Sequence, residues 1–414
     1  MTEPRDVPPP TLFPRLLATA GLVQAADQIA LAALPITAVL VLGAGPGLVG
    51  ALVAAQTAAW LLVSLPAGVL VDRLPRRAVL LTALAISLAG SLAALAAAAF
   101  DQGVLLGAAA FLAASGTVTF VLVQIGLVPQ VVPLAALPRA NARIELARAL
   151  ASTAAPLVVG FLATRVSPLA GYPLAAFLAF AALACAATLR FEAMPAPAAR
   201  PPVLAAIAEG ARFVVADPLL RAIGLCAIFW NFAFVALLAV FVPFALSRLG
   251  TDAAGAGLAQ GINGLGMIAG AAAAPFIFAR VQPRAVLLFG PLSSALGAVL
   301  MALSPITGGI AMAALAFGLI GFGPMLWLVM QTSVRQIVTP PALMGRVTAT
   351  IQVAIYGVRP LGALAGGGVA QAFGLEAALG LVAAAFAASA LVSIASPLAR
   401  LATMPNPASA AGGI

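Results

Sequence analysis

Apolar runs of about 20 residues or more, separated by charged or proline-containing segments, occupy most of this chain. A helix rises 1.5 Å per residue, so about 20 residues cross the hydrocarbon core of a bilayer. With 64% hydrophobic and 7% charged residues, the chain has more apolar surface than a water-soluble core can bury. Apolar and polar residues do not alternate at period two, which argues against an outer-membrane barrel. The sequence predicts twelve spans, at residues 14–42, 47–71, 78–99, 104–127, 146–167, 169–189, 220–247, 254–279, 285–304, 308–333, 348–371 and 375–398.

A polar segment at residues 68–77 returns in altered form 207 positions later, at residues 275–284. The four residues that follow the first copy, 78–81, recur letter for letter at 285–288. A period of half the chain is too long for a solenoid repeat and predicts two structural halves. We therefore expect an all-α membrane protein with twelve transmembrane helices in two pseudo-symmetric six-helix bundles. Two further matches support the repeat, Gln124-Ile125 with Gln331-Thr332 at an offset of 207 and Pro156-Leu157 with Pro360-Leu361 at 204.

A proline-rich segment marks the boundary between the halves. The sequence that follows it predicts an amphipathic helix on the inner leaflet, with Glu209 and Arg212 on its polar face. Its apolar face carries Val203, Leu204, Ile207, Ala211 and Val214. The expected division is a cytoplasmic tail at 1–12, an N-terminal bundle at 13–190, a cytoplasmic linker at 191–217, a C-terminal bundle at 218–400 and a cytoplasmic tail at 401–414.

All twenty basic residues are arginine, and their distribution predicts an orientation. With the amino terminus inside, seventeen arginines lie on the cytoplasmic side, Arg165 and Arg248 lie outside, and Arg359 lies within a span. This asymmetry follows the positive-inside rule, so we expect both termini in the cytoplasm of a bacterium whose plasma membrane holds the protein. The arginines form a ring that contacts membrane lipids rather than one basic patch, and we expect no nucleic-acid partner.

Several motifs give the chain a resemblance to a known family. Gly68, Asp72, Arg73, Arg76 and Arg77, between spans 2 and 3, resemble the signature loop of the major facilitator superfamily. The resemblance implies the twelve-helix fold, and it implies a secondary transporter that exports a drug, a macrolide or a siderophore-like compound in exchange for protons. Other segments are similar to the enterobactin-exporter and macrolide-efflux branch, at residues 26–35, Asn141, 209–213, 217–221 and 345–347.

In the family that the chain resembles, the acid of this loop latches the cytoplasmic gate against the start of span 11. Here that contact would join Asp72 to Gly345 and Arg346. An anion at the end of one helix can hold the positively polarised amino terminus of another, so breaking this contact can switch populations. We also expect Arg73, Arg76 and Arg77 to contact lipid headgroups. The competing interpretation is a topogenic arginine cluster without a gating role.

Two charges lie deep within predicted spans. Because the chain has no His and no Lys, a proton carrier has to be a carboxylate, and Asp27 is the one deep candidate, with Glu145 second. Asp27 and Arg359 should reach similar depth, about 18 and 20 Å along spans 1 and 11. Our hypothesis couples the two, directly or through water, and the alternative is a purely structural buried pair. Pro360 predicts a departure from helical geometry at Arg359.

Polar residues within the spans indicate a substrate cavity. Gln24 and Gln28 share a helical face with Asp27, and Gln352 and Tyr356 share one with Arg359. The resemblance implies that spans 1, 4, 7 and 10 line the path, which adds Gln124, Trp230, Asn231 and Gln331. Such side chains also join helices by hydrogen bonds, which is the alternative for each of them. A mostly apolar pocket with a few polar anchors suits a small amphipathic organic substrate.

The sequence has no pattern that predicts an enzyme. It lacks a phosphate-binding loop of the Gly-Lys-Ser/Thr kind, paired carboxylates and metal-spaced cysteines, so we expect no catalytic residues, no cofactor and no metal site. We expect a monomer whose partners are its substrate, protons and lipids. A lipid or lysolipid flippase, and a receptor or scaffold without transport activity, remain the alternatives.

Overall fold

The structure, a computed structural model, describes residues 12–133, 136–189, 203–340 and 343–405, with Asp72, Pro138 and residues 203–207 described by backbone alone. The described part is helical throughout its regular structure, with thirteen α-helices and one 3-10 helix at Pro397–Arg400. The α-helices are α1 Leu12–Leu40, α2 Pro46–Arg73, α3 Arg76–Ala99, α4 Gly103–Val131, α5 Leu137–Arg165, α6 Gly171–Ala187, α7 Val203–Ala216, α8 Pro218–Arg248, α9 Ala253–Phe278, α10 Pro283–Thr307, α11 Gly309–Val338, α12 Met344–Phe373 and α13 Leu375–Ala395.

Eleven of the described helices are long and apolar enough to cross a membrane. The sixth predicted span corresponds to α6, which is apolar but has only 17 residues. The predicted start of span 5 at residue 146 was wrong, because α5 begins at Leu137. Its first turns carry arginine and glutamate, which interrupt the apolar run but are good helix formers. The chain is therefore an all-helical membrane protein.

The internal repeat predicted from the sequence is present in the helices. The start of α2 at Pro46 recurs as that of α9 at Ala253, and the start of α5 at Leu137 recurs as that of α12 at Met344, each 207 residues later. Packing repeats with the same offset. A Cβ at Gly90 would meet Ala113 of the neighbouring helix, and one at Gly297 would meet Ile320. All six helices α1–α6 have counterparts in α8–α13 at about this offset.

The offset of 204 proposed for the proline pair was wrong. The helices that contain Pro156 and Pro360 begin 207 residues apart, so the counterpart of Pro156 is Ala363. The contacts agree, because the carbonyl of Ala363 faces Gly50 and that of Pro156 faces Gly257, which are themselves 207 residues apart. The predicted loss of helical geometry at Arg359 was also wrong, since α12 continues through Arg359 and Pro360.

The helices have two ends, which we name by the segments there. The linker end carries α7, the turn after α2 and the start of α12, and the far end carries residues 41–45, 166–170, 249–252 and 374. Helices α1–α6 pack mainly on one another, as do α8–α13, and the main contacts between these sets are α2 with α12 and α5 with α9. We call these two contacts the seams.

Both seams are closed at the far end by a pair of glycines. A Cβ at Gly50 would lie 2.8 Å from Cα of Gly367, and one at Gly160 would lie 3.1 Å from Cα of Gly257. These pairs exchange under the 207-residue offset. Their hydrogen bonds do too: Gly47 N–H donates to Oε1 of Gln371 at 3.4 Å, and Ala254 N–H donates to Oγ1 of Thr164 at 3.0 Å. The seams are therefore two copies of one contact, related by a pseudo-twofold axis.

Candidate functional site

Arg359 is the charged centre of the site. Its Nε–H donates to Oδ1 of Asn231 on α8 at 3.0 Å, while Nδ2 of Asn231 donates to the carbonyl of Ala227 at 2.9 Å. The second bond fixes the amide so that its oxygen faces the guanidinium. The guanidinium carbon lies 5.1 Å from the ring centroid of Tyr356, a cation–π contact. Asn231 is 7% exposed, so this hydrogen bond is formed away from solvent.

An aromatic pair extends this site across one seam. Trp60 on α2 stacks on Tyr356 of α12, with ring centroids 4.7 Å apart and 25° between the planes. Trp60 also packs against Ala59, Ala114 and Val118, so its ring is held by the first half of the chain. The Arg359 site thus contains side chains from both halves.

Asp27 forms a second polar cluster near the middle of α1. Its Oδ2 accepts a hydrogen bond from Nε2 of Gln28 at 3.3 Å, and the hydroxyl of Thr117 on α4 lies within hydrogen-bonding reach of the same carboxylate. Thr117 is buried. Its position ties the acid to the interior of the first half rather than to the lipid-facing surface.

The structure places Asp27 and Arg359 at the same level, as the sequence predicts. Asp27 lies 15 residues after Leu12, and Arg359 lies 15 residues after Met344, so each is about 22 Å along a helix that starts at the linker end. Within the described ranges, however, no ion pair joins them at 4.0 Å or less. Coupling through water or through a change of conformation stays a hypothesis.

The charge nearest to Arg359 in its surroundings is another cation. Arg148 of α5 is close enough for its positive charge to repel that of Arg359. Arg148 itself is paired, with its NH2 group 2.7 Å from Oε2 of Glu145 one turn earlier on α5. The side chain of Glu145 is 62% exposed, which places this second candidate for proton coupling in an open environment.

The other predicted cavity residues divide into two groups. Trp230 lies between helices of the second half, where Nε1–H donates to Ser294 at 2.9 Å and the ring stacks on Phe234, so it joins helices. Gln352 is exposed. The remaining glutamines, Gln24, Gln124 and Gln331, are buried.

A stripe of buried polar atoms on α11 was missed by the sequence prediction except for Gln331. Trp327, Gln331, Arg335 and Thr339 follow one another at four-residue spacing, and each has one buried side-chain N or O atom with no partner in the part of the chain that is described. Their regular spacing puts them on one helical face. The apolar run ends at 333 and so predicts a loop position for Arg335, whereas α11 continues to Val338.

The gating residues are not brought together. Gly68 and Gly345 have no atom within 4 Å of a Cβ position, while Arg346 pairs with Glu209 of α7, NH1 to Oε1 at 2.5 Å. The side chain of Asp72 lies outside the described part. Glu209 is on the predicted polar face of α7, and Val214 of the apolar face lies in a buried cluster with Val347 and Ile351 of α12.

The expectation that all three loop arginines contact headgroups was wrong for two of them. Arg76 donates to the carbonyl of Gly126 at 3.0 Å, and Arg77 donates to the carbonyls of Leu189 at 3.0 Å and Ala187 at 3.1 Å. Carbonyls at a helix carboxyl end have no partner within the helix and attract a guanidinium. Arg77 therefore ties α3 to the end of α6. Arg73 is exposed.

The sequence profile described as "Major Facilitator Superfamily" matches residues 16–363. The chain belongs to this superfamily. A search of curated proteins by sequence finds no significant match. Solved structures with the same fold include a point mutant of the nucleoside transporter NupG, at 15% identity and a TM-score of 0.77, covering 93% of this chain and 98% of that one.

Two more structures of the superfamily are similar over nearly the whole chain. The peptide transporter POT in complex with sulfate has 15% identity and a TM-score of 0.73, covering 95% of this chain and 96% of that one. A bacterial homolog of the human lysosomal transporter Spinster, inward-facing and unoccupied, has 14% identity and a TM-score of 0.71, covering 95% and 96%. The protein is thus a membrane transporter of the major facilitator type.

Proposed function

We propose that this transporter exports a small amphipathic organic compound in exchange for protons, by alternating access. The observation that carries the proposal is the position of Asp27. Among the described residues, it is the one acid near the midpoint of a helix long enough to cross a membrane. A carboxylate at that depth can take up and release a proton only when the surrounding helices give it access to one side or the other. Such gated access is what coupling requires.

The arginine distribution supports a topology with twelve crossings, two six-helix bundles and both termini in the cytoplasm. The 17 residues of α6 span about 25 Å, the lower limit for a crossing. The linker end is then cytoplasmic, and glycine pairs close the seams on the opposite side. In this proposal the structure is the state that opens to the cytoplasm, in which substrate is loaded for export.

The latch of the signature loop belongs to the opposite state. Arg346 and its neighbour Gly345 start α12, where Arg346 is now held by Glu209 of α7. We place the contact between Asp72 and the start of α12 in the outward-open state. The linker helix and the signature loop would then compete for one segment of α12, and a few kcal/mol between these contacts suffices to shift the population.

Transport by purified protein in liposomes tests the proposal. With an acidic lumen, ethidium, erythromycin and a catecholate siderophore are offered outside, and we expect at least one to accumulate above the level in protein-free liposomes. Asp27→Asn should abolish accumulation driven by the pH gradient and retain exchange of labelled for unlabelled compound. Gradient-driven accumulation that survives this substitution contradicts proton coupling through Asp27.

A lipid flippase is the second candidate. An apolar groove of about 310 Å³ lies between α8, α12 and α13, and it includes Val358, the neighbour of Arg359. Exposed Phe229 in its wall shows that the groove is on the outer surface of the helices, where an acyl chain can lie. Transfer of a fluorescent lysophospholipid between leaflets, with no flux of the three soluble compounds, would favour this function.

A further inference from the structure

The guanidinium of Arg359 is incompletely satisfied. It has five N–H donors, of which Nε–H is bonded to Asn231. Within the described ranges no carboxylate lies within 4.0 Å of it. Its charged neighbour is Arg148, which repels it. A cation at the middle of a transmembrane helix is costly unless an anion or a set of dipoles compensates it. The two ends of the guanidinium fork that Asn231 leaves free are the geometry that binds a carboxylate with two hydrogen bonds.

The surroundings of Arg359 limit the shape of a complementary anion. The stacked rings of Trp60 and Tyr356 form a flat apolar surface directly beside the guanidinium. Aromatic groups stack on such a surface in an offset arrangement. An anion whose charge is attached to a planar ring would satisfy both features at once, whereas an organic cation would be repelled by Arg148 and Arg359.

We propose that Arg359, Tyr356 and Trp60 form a substrate subsite that binds a planar organic anion, an aromatic carboxylate. This inference rests on the proposed transport function and names the class of its substrate. The carboxylate receives hydrogen bonds from the guanidinium of Arg359, and the ring packs on the Trp60–Tyr356 pair. Because Trp60 and Tyr356 belong to different halves, the bound anion contacts both halves of the protein, and its affinity depends on their separation.

Equilibrium dialysis with 2-naphthoate and its uncharged amide, 2-naphthamide, tests the subsite. The full-length protein is kept in a neutral maltoside detergent at pH 7.5, and detergent alone corrects for partitioning into micelles. We expect the carboxylate to bind at least tenfold more tightly than the amide. Arg359→Gln should remove this preference, and Arg359→Lys should retain part of it because the charge remains. Arg248→Gln, which removes an exposed far-end cation paired with Glu376, should leave it unchanged.

Equal affinity for acid and amide in the wild-type protein, or a preference that survives Arg359→Gln, would overturn the proposal. Trp60→Leu separates the aromatic part, and it should weaken both probes by a similar factor while leaving the preference for the acid. A Trp60→Leu protein that binds both probes as the wild type does would remove the ring pair from the subsite. Binding needs no gradient and no flux, so a failed transport experiment and a failed dialysis experiment are separate results.

Discussion

Asn231 and Gln24 occupy equivalent positions in the two halves, 207 residues apart, but Asn231 is the one that accepts a hydrogen bond from an arginine. The residue equivalent to Arg359 in the first half is Ser152. The charged centre therefore departs from the internal symmetry that organises the helices and seams. Departures of this kind are expected where the two halves have different tasks.

Replacing Asn231 tests how the guanidinium is held. Asn231→Leu leaves the Nε–H of Arg359 without its partner and should destabilise the protein by about 1.5–3 kcal/mol. Asn231→Asp supplies a fixed anion, so it should preserve stability and abolish the preference for 2-naphthoate. Thermal unfolding in detergent and the dialysis experiment measure the two effects. An unchanged acid preference in Asn231→Asp would show that the free part of Arg359 does not bind the anion.

Proton coupling should respond to Asp27 and not to Glu145. The exposed Glu145 carboxylate pairs with Arg148 in an open environment, whereas Asp27 lies at mid-helix beside Thr117. We expect Glu145→Gln to retain accumulation driven by a pH gradient and Asp27→Asn to lose it. The measurement is gradient-driven uptake into liposomes, compared with counterflow in the same preparations. Loss of coupling in Glu145→Gln alone would reverse the assignment.

A disulfide at the far end should stop the transport cycle. A Cβ at Gly47 would lie 3.3 Å from Cβ of Gln371, close to the separation found in disulfides. Gly47→Cys with Gln371→Cys, in a background with Cys185→Ser and Cys226→Ser, should crosslink on mild oxidation. A protease site inserted in the linker reports the bond, because the cut halves then migrate together.

Flux should cease in the oxidised double variant and return on reduction, since the seam between α2 and α12 can no longer open. Each single cysteine variant serves as the control. Normal flux through fully crosslinked protein would contradict alternating access by opening of the far end.

The docking of α7 should depend more on Gly210 than on its ion pair. A Cβ at Gly210 would overlap the backbone carbonyl of Arg346, which cannot move aside as a flexible side chain can. Gly210→Leu should therefore detach α7 from α12 and speed proteolysis of the linker. Glu209→Gln breaks a half-exposed ion pair worth about 1 kcal/mol or less and should have a small effect. Equal proteolysis rates for the two variants would argue against the close contact.

The signature-loop arginines should differ in their contributions to stability. Arg77→Ala removes the hydrogen bonds to the end of α6 and should cost about 1–2 kcal/mol, seen as a lower unfolding midpoint. Arg73→Ala removes an exposed side chain and should leave the midpoint unchanged. A topogenic role alone predicts no difference between the two variants once each is folded in detergent.

The helices and their repeat could be predicted because they depend on apolar length and on local sequence similarity. The limits failed where polar helix formers extend a span, as in the first turns of α5 and at Arg335 near the end of α11. The latter error hid the stripe on α11, although residues 327, 331, 335 and 339 show a four-residue period in the sequence itself.

The partners within the site could not be predicted. The sequence indicates that Asn231 and Arg359 both lie within spans, yet nothing local indicates that residues 128 positions apart share a hydrogen bond. The glycine pairs of the seams were also missed, because the chain has 39 glycines and close approach depends on what faces each one. Side-chain pairing across the two halves is a property of packing, which period and composition do not contain.

The matched seams have an evolutionary consequence. A contact that maps onto itself when its two sides are exchanged is the contact of a symmetric dimer. A polypeptide of six helices, with the glycines now at 50 and 160, could have formed both seams with an identical copy of itself. Fusion of two such genes keeps the dimer interface and frees each copy to mutate alone, and only after that event can one subunit hold an arginine where its twin has a serine.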